Sequence, residues 1–175
     1  FAAFPDMQAM AKADLPKLEA LVRSTGFYHT KAANIRAASR MLLDNFEGRI
    51  PGNIEELIQL PGVGRKTANL VASACFGKPG IVVDTHVLRI ARRLGIAPTE
   101  DPTKSEYLIA ASIEPDRWTA FSHSLNRHGK FVCTARKPKC PECALNEYCP
   151  SAGSASEPAR KRRPLSQEKR KHPHE

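Results

Sequence analysis

A lysine and an aspartate that stand 18 residues apart are the first side chains in this sequence that could do chemistry together. Lys66 follows the turn-forming sequence 60–64, and Asp84 follows the apolar run 81–83. A lysine amine can attack an anomeric carbon and form an iminium, and a carboxylate can accept a proton or stabilise positive charge on a sugar. On residue type alone, Lys66 could equally be a phosphate contact and Asp84 a plain helix cap.

The sequence around Lys66 predicts a hairpin between two helices. Pro61, Gly62 and Gly64 cannot continue the helix expected before them, so the chain has to turn before helical periodicity resumes at Arg65. Unpaired N–H groups and the positive end of the helix dipole favour an anion at such a helix start. A nucleotide-binding loop fits poorly, because it needs a wider glycine spacing and a preceding strand. We therefore expect a phosphate-binding hairpin made by Leu60, Pro61, Gly62, Val63, Gly64, Arg65 and Thr67.

Four of the five cysteines lie within 17 residues and form a candidate metal site. A zinc site usually has two close cysteine pairs, and only one pair is close here, so the spacing favours an iron-sulfur centre while leaving zinc open. So short a loop has little core of its own, and metal binding would contribute to its folding. The fifth cysteine, Cys75, lies in an apolar helical pattern and is expected to be buried. The candidate ligands are Cys133, Cys140, Cys143 and Cys149.

The loop between the first two of these cysteines is basic. Arg136, Lys137 and Lys139 are held there on a short stretch where they could contact phosphates. The alternative is an ordinary solvated run of charge. We expect phosphate contacts, since a metal centre would fix the loop.

Composition points to a nucleic-acid partner. The 175 residues carry a formal net charge of +9 with a pI near 9.6, and no basic amphipathic helix with a bulky aromatic face suggests a membrane surface. No run of 18 apolar residues and no signal-like segment is present. We therefore expect a cytoplasmic protein with a nucleic-acid partner and no membrane partner. Residues 151–175 are polar and basic, which predicts a disordered tail.

Helical patterns flank both candidate sites. Helices are expected after the capping residues Asp14, Thr30 and Asn53, and two further helices are expected over 102–113 and 116–128. The short β-branched runs are too few to make a sheet. The sequence therefore predicts an all-α fold with short connections.

The motif LPGVGRKTA at 60–68, followed by VDTH at 83–86, resembles the endonuclease III branch of the helix-hairpin-helix DNA glycosylase superfamily. The resemblance covers about residues 4–150. It implies a helical barrel plus an iron-sulfur cluster loop subdomain, with the N-terminal helices of the family missing from this sequence. It divides the chain into a barrel portion with the hairpin at 1–112, an iron-sulfur subdomain at 113–150 and the basic tail at 151–175.

The same resemblance implies a base excision repair DNA glycosylase with apurinic/apyrimidinic (AP) lyase activity. Lys66 would be the nucleophile that forms a Schiff base, and Asp84 the catalytic carboxylate. From its place in the sequence, His86 is expected to contact a phosphate or to neighbour Asp84. The four clustered cysteines would hold a 4Fe-4S cluster. The expected substrate is double-stranded DNA with a damaged base, an oxidised pyrimidine by this resemblance, or with an abasic site, and the expected state is a monomer.

Two alternatives stay open on the sequence. A monofunctional glycosylase, specific for adenine or a mismatch, would remove the base without cutting the strand, but that branch usually lacks a lysine at the position of Lys66. A non-catalytic DNA-binding module would keep both the hairpin and the cluster.

Overall fold

The computed structural model describes residues 2–153, and every regular element in that range is helical. The predicted all-α fold is thereby confirmed. The one part of the predicted tail inside this range is 151–153. None of the described helices is long and apolar enough to cross a membrane. The α-helices are α1 (Met7–Ala11), α2 (Leu15–Val22), α3 (Tyr28–Asn45), α4 (Ile54–Leu57), α5 (Arg65–Phe76), α6 (Thr85–Arg93), α7 (Pro102–Ala110) and α8 (Trp118–Phe131), and 3-10 turns cover Arg23–Thr25, Pro115–Arg117, Cys140–Glu142 and Asn146–Tyr148.

Side-chain caps fix most of the helix starts. Asp14 accepts a hydrogen bond from the Lys17 N–H at 3.2 Å, and Asn53 accepts one from the Glu56 N–H at 2.8 Å. Both caps were predicted from the sequence, and both are confirmed. Each satisfies one of the N–H groups that a helix start leaves unpaired.

Helix boundaries differ from the predictions in several places. The helix expected after Thr30 already begins at Tyr28, because Phe27 adopts a left-handed conformation with φ of 48° and turns the chain before it. The helix after Asn53 ends at 57 instead of continuing to 60. The last two predicted helices are shifted to 102–110 and 118–131, and a proline-led 3-10 turn separates them.

Three apolar clusters hold the helices together. The first joins α1, α2 and α3 around Leu18 and Ala32, and the second joins α3, α4 and α5 around Leu57 and Ala68. The third joins α6, α7 and α8 with the segment 80–84. This third core includes residues on both sides of the predicted boundary at 112/113, and the division into subdomains stays a prediction.

Helices α6 and α8 cross at close range because of a glycine. A Cβ atom placed on Gly129 would lie 2.9 Å from the Cβ of His86 and 3.1 Å from Nη2 of Arg89, so any larger residue would push the helices apart. The crossing brings the start of α6, which carries Asp84, beside the middle of α8. Sequence periodicity places residues on a helix face but does not show which helix faces which.

One burial prediction is wrong. Cys75 is exposed rather than buried. The buried face of α5 is formed by Ala68, Asn69 and Ala72, and Cys75 lies three residues beyond Ala72 on the last turn of the helix.

Candidate active site and cysteine cluster

The hairpin before α5 is a tight turn with an open helix start. Gly62 has φ of 78°, and a Cβ on it would lie 2.6–2.9 Å from the side chain of Asn34. The Val63 N–H donates to the Leu60 carbonyl at 3.0 Å and closes the turn. Gly64 makes no side-chain cap, so the first N–H groups of α5 are left to an outside acceptor, as a phosphate site requires.

Arg65 is paired inside the protein. Its Nη2 lies 2.6 Å from Oε1 of Glu106, its Nε lies 3.2 Å from Oε2, and the guanidinium lies over the ring of Tyr107 at 5.3 Å. The hydrogen bonds to Glu106 raise the pKa of Arg65 above its usual value. The arginine thus ties the start of α5 to α7. A DNA contact by Arg65 stays a prediction.

The structure brings Lys66 and Asp84 to the same cleft. Lys66 is exposed on the first turn of α5, and Asp84 caps α6 across the cleft. Within residues 2–153 no hydrogen bond or ion pair engages the Lys66 ammonium group. Thr67 is half-buried beside it. The remaining wall of the cleft is formed by Leu70, Val82, Ser122, His123 and Asn126.

Three donors hold the Asp84 carboxylate. Its Oδ1 accepts from the N–H groups of His86 at 2.9 Å and Val87 at 2.8 Å, which confirms the predicted helix cap. Its Oδ2 accepts from Nδ2 of Asn126 at 2.5 Å. A carboxylate offers about four lone-pair positions, so one acceptor position is left for a substrate or a proton.

His86 contacts Asp84 through its backbone, and its ring is engaged elsewhere. Nδ1 of the half-buried imidazole lies 3.2 Å from Nη2 of Arg89. That arginine also donates to the carbonyls of Gly129 at 2.7 Å and Cys133 at 3.0 Å. Burial, followed by repulsion from Arg93, lowers the pKa of Arg89. The expectation that His86 neighbours Asp84 agrees with the geometry, and its phosphate contact stays a prediction.

The four clustered cysteines line one cavity beneath α6 and α8. Cys133, Cys140, Cys143 and Cys149 share this cavity with apolar side chains that include Leu94 and Leu145. In the described part of the chain, no three His, Cys, Asp or Glu side chains are arranged to hold a single metal ion. Sulfurs that surround a cavity rather than one point suit a multi-atom cluster, in which each iron takes one thiolate.

Hydrogen bonds already surround these sulfurs. Nη1 of Arg93 lies 3.2 Å from Sγ of Cys133, and the Leu145 N–H lies 3.4 Å from Sγ of Cys143. Arg93 also donates to the carbonyls of Thr134 at 2.8 Å and Ala135 at 2.9 Å, and so ties the loop to α6. Such outer contacts are typical of metal–thiolate sites.

The charge balance also fits a cationic group. Burial and then the proximity of the other three cysteines raise the pKa of the Cys149 thiol, against a hydrogen bond from the Ser151 backbone. Burial lowers the pKa of His128, whose Nε2 lies 3.6 Å from Sγ of Cys143. Four thiolates in this space repel one another, and bound iron would offset that repulsion.

The basic residues of the loop point outward. Arg136, Lys137 and Lys139 are all exposed. Two hydrogen bonds fix the backbone between them, from the Lys139 N–H to the Val132 carbonyl at 3.0 Å and from Oγ1 of Thr134 to the Lys137 carbonyl at 2.7 Å. Their role as DNA contacts stays a prediction.

Several residues at these sites were missed on the sequence. Asn126 lies four residues after Ser122 and three after His123, a spacing that puts it on the same helix face as each of them. Because α8 carries polar residues on other faces as well, this spacing did not single them out. No motif in the sequence ties Arg93 to the cysteines. No sequence signal links Asn34 to the hairpin.

Comparison with known proteins identifies the family. Residues 1–115 match the family described as HhH-GPD superfamily base excision DNA repair protein, and residues 133–149 match the iron-sulfur binding domain of endonuclease III. The second match begins and ends at the first and last clustered cysteines. The two sites described above therefore fall within two matched families.

Curated relatives agree with these matches. The endonuclease III of Synechocystis sp. is 45% identical over 153 residues, which covers 87% of this chain and 70% of that protein. The endonuclease III of Rickettsia felis is 42% identical over 75% of this chain and 62% of its own length, and that of Escherichia coli is 36% identical over 81% and 67%. The chain thus spans about two thirds of the length of these relatives, from 62% to 70%.

Solved structures give the same answer. A non-covalent endonuclease III–DNA complex superposes with a TM-score of 0.84 at 37% identity, covering 88% of this chain and 72% of that one. A trapped endonuclease III–DNA covalent intermediate superposes equally well, with a TM-score of 0.84. Together with the family matches, these relationships support a base excision repair DNA glycosylase with AP lyase activity, DNA as its partner and a 4Fe-4S cluster as its cofactor. The chain belongs to the endonuclease III family of base excision DNA repair proteins.

Proposed function

We propose that the cleft between α5 and α6 excises a damaged base from duplex DNA and then cuts the strand, with Lys66 as the nucleophile. One observation carries the proposal: Lys66 and Asp84 line the same cleft although 18 residues separate them. Lys66 is exposed at an open helix start, where a DNA phosphate is favoured and the sugar beside it comes within reach. The relative that was trapped as a covalent DNA intermediate adds support.

The chemistry proceeds in two stages. The neutral amine of Lys66 attacks C1′ of the extruded nucleotide, the bond from C1′ to the base breaks, and the departing base takes up a proton. The sugar ring then opens, its ring oxygen is protonated, and the Lys66 nitrogen and C1′ form an iminium. Loss of a proton from C2′ next breaks the bond between C3′ and its oxygen, and the 3′ phosphate leaves. Water finally hydrolyses the imine and restores the lysine.

We propose that the Asp84 carboxylate stabilises the positive charge that develops on the sugar. Its carboxylate is held in place by three donors and keeps one acceptor position toward the cleft. A fixed carboxylate needs no reorganisation when the transition state forms, which is the condition for effective electrostatic stabilisation. The same free position could take the proton that Lys66 loses.

DNA is proposed to bind along the hairpin and the cysteine loop. The open N–H groups at the start of α5 would take one backbone phosphate, and the exposed Arg136, Lys137 and Lys139 would take others. Extruding the target nucleotide costs a few kcal/mol, and least for a damaged or mispaired base. The four cysteines would hold the cluster, which supplies metal–thiolate bonds that fix the loop rather than a vacant site for substrate.

The substrate proposed is an oxidised pyrimidine, acted on by a monomer. Lys66 supports the bifunctional branch of the family, to which this substrate class belongs by resemblance. A panel of duplexes that carry an oxidised pyrimidine, an oxidised purine, a mismatched adenine or an abasic site would rank the lesions. Sedimentation of the free protein and of its DNA complex would measure the oligomeric state.

Borohydride trapping on a duplex with one abasic site tests the proposal directly. The chain should form a covalent adduct with DNA, and Lys66→Ala should abolish it while DNA binding persists. Lys104→Ala is the matched control, because Lys104 is an exposed lysine on α7 that does not line the cleft. Equal adducts from wild type and Lys66→Ala would assign the nucleophile elsewhere.

Two other outcomes would favour the alternatives. Release of a base from a lesion duplex without any adduct or strand cut would identify a monofunctional glycosylase. Binding to abasic DNA with neither base release nor adduct, in a protein whose cluster is present, would identify a non-catalytic binding module.

A further inference from the structure

One face of α8 contacts the segment 80–84, which ends at Asp84. Thr119, Ser122 and Asn126 lie at spacings of three and four, so they share one face of the helix. The segment 80–84 forms no helix, and it ends at Asp84, whose backbone is extended with φ of −98° and ψ of −176°. The three side chains of α8 contact residues 80, 82 and 84 of the segment in order.

The contacts tighten toward the catalytic end. Oγ1 of Thr119 lies 3.5 Å from both the nitrogen and the carbonyl oxygen of Gly80, which is a long contact. Oγ of Ser122 accepts from the Val82 N–H at 3.2 Å and donates to the Trp118 carbonyl at 3.0 Å. Ser122 is 3% exposed, so its hydroxyl is satisfied entirely within the protein.

The last contact is the shortest. Nδ2 of Asn126 lies 2.5 Å from Oδ2 of Asp84. Because a carboxylate only accepts hydrogen bonds, the amide nitrogen and not the amide oxygen must face it. The cap of α6 is already made by Oδ1. The bond from Asn126 therefore adds nothing to the cap itself and fixes the second oxygen, and with it the plane of the carboxylate.

We propose that Asn126 is a positioning residue for Asp84, which it holds in the orientation that faces Lys66 across the cleft. This inference rests on the proposed function. Without the amide, no hydrogen bond fixes Oδ2, and rotation about the Cβ–Cγ bond can turn the carboxylate away from the sugar. Ser122 supports the same arrangement from behind by fixing the backbone of Val82.

Single-turnover base excision at saturating DNA tests this role. Asn126→Ala should slow excision by about 10- to 100-fold, the cost of a misplacement near 1 Å. Affinity for a duplex with a non-cleavable abasic analogue should stay unchanged, because Asn126 contacts Asp84 rather than the backbone of DNA. Ser124→Ala is the matched control, since Ser124 is exposed on the same helix and does not line the cleft.

A double-mutant cycle shows whether Asn126 acts through Asp84. In the Asp84→Asn background, Asn126→Ala should cause little or no further loss of rate. Independent, additive losses would overturn the inference, and so would an unchanged rate in Asn126→Ala alone.

The Asn126→Asp variant adds a pH-dependent rate measurement, which a purely structural role of Asn126 would leave unchanged. At neutral pH the new carboxylate repels Asp84, so the variant should be slower than Asn126→Ala. At lower pH the introduced carboxyl becomes protonated and can donate, so its rate relative to Asn126→Ala should recover. Lys66, His86, Arg89 and His123 also titrate or carry charge around Asp84, and the comparison cancels them because they are common to both variants. No relative recovery would contradict the donor role.

The same cycle applied to urea unfolding separates this inference from the proposed function. Non-additive unfolding free energies for the two residues would show that the contact exists whether or not the chain is active. If the wild-type chain released no base and formed no adduct, the proposed function and the catalytic part of the inference would fail together. Normal wild-type activity with an unaffected Asn126→Ala variant would overturn the inference alone.

Discussion

The Lys66–Asp84 cleft and the cysteine loop are built in opposite ways. The cleft draws Lys66, Asp84 and Asn126 from three elements that lie far apart in the sequence, and it rests on a core that includes Ile81, Val83 and Leu125. The loop is one contiguous stretch, and no residue from 130 to 153 is buried. The cleft is therefore ordered by the protein core, while the loop has no comparable core.

The order of the loop depends on the groups that surround its four cysteine sulfurs. Arg89 and Arg93 from α6 bind its backbone carbonyls, and the four cysteines converge on one cavity. Burying apolar surface, the main source of stability elsewhere in the chain, contributes little in this region. Bonds to iron would take its place.

Removing one cysteine tests this contrast with the largest expected effect. Cys143→Ser should eliminate the visible absorption of the cluster and reduce the local opening free energy of residues 133–149 to near zero. Amide exchange in α5 and α6 should change little, since their core lies outside the loop. Hydrogen exchange read by mass spectrometry would measure both regions at once. Cys75→Ser is the control, because Cys75 is exposed on α5, and it should leave the cluster and the loop unchanged.

The contrast would break if Cys143→Ser loosened the cleft as much as the loop. That result would mean that the cluster orders the whole chain. It would also remove the reason for treating the loop as a separately stabilised unit.

A change in the hairpin should lower the stability of the fold while leaving the cysteine cluster intact, and its effect should be smaller. Gly62→Ala forces a side chain into a left-handed position and into contact with Asn34, so it should lower the free energy of unfolding by about 2 kcal/mol. Gly64→Ala is the matched control, since a Cβ there meets nothing within 4 Å and φ is −91°. Urea unfolding would measure the stabilities, and cluster absorption should stay normal in both variants. Equal stabilities of the two variants would show that the hairpin relaxes freely.

Sequence reasoning succeeded where the signal is local. The caps at Asp14, Asn53 and Asp84 depend on one side chain and the next two or three N–H groups, so a few neighbouring residues predict them. The cysteine set was equally easy to find, because all four cysteines lie in one stretch, which the matched iron-sulfur domain also covers. The role of these cysteines as cluster ligands stays a prediction.

Sequence reasoning failed for long-range contacts and for helix ends that no strong local signal marks. Asn126 reaches Asp84 and Glu106 reaches Arg65 across about 40 residues, and no spacing rule predicts such pairs. The start of α3 was misplaced because a non-glycine residue, Phe27, adopts a left-handed conformation that composition does not signal.

The smallest expected effect concerns which cationic side chains contact DNA phosphates. Arg65 beside the hairpin is bound to Glu106, whose side chain is 12% exposed, whereas Lys139 in the loop is exposed and unpaired within the described residues. Lys139→Ala should reduce the slope of log affinity against log salt by about 0.9, which amounts to about a threefold change across a fourfold range of salt. Arg65→Ala should leave that slope unchanged and instead lower the stability, because it strands the Glu106 carboxylate. Salt titrations of DNA binding would measure both variants. A reduced slope for Arg65→Ala would mean that Arg65 leaves Glu106 for a phosphate when DNA binds, and the hairpin would then supply a phosphate-binding cation as the loop does.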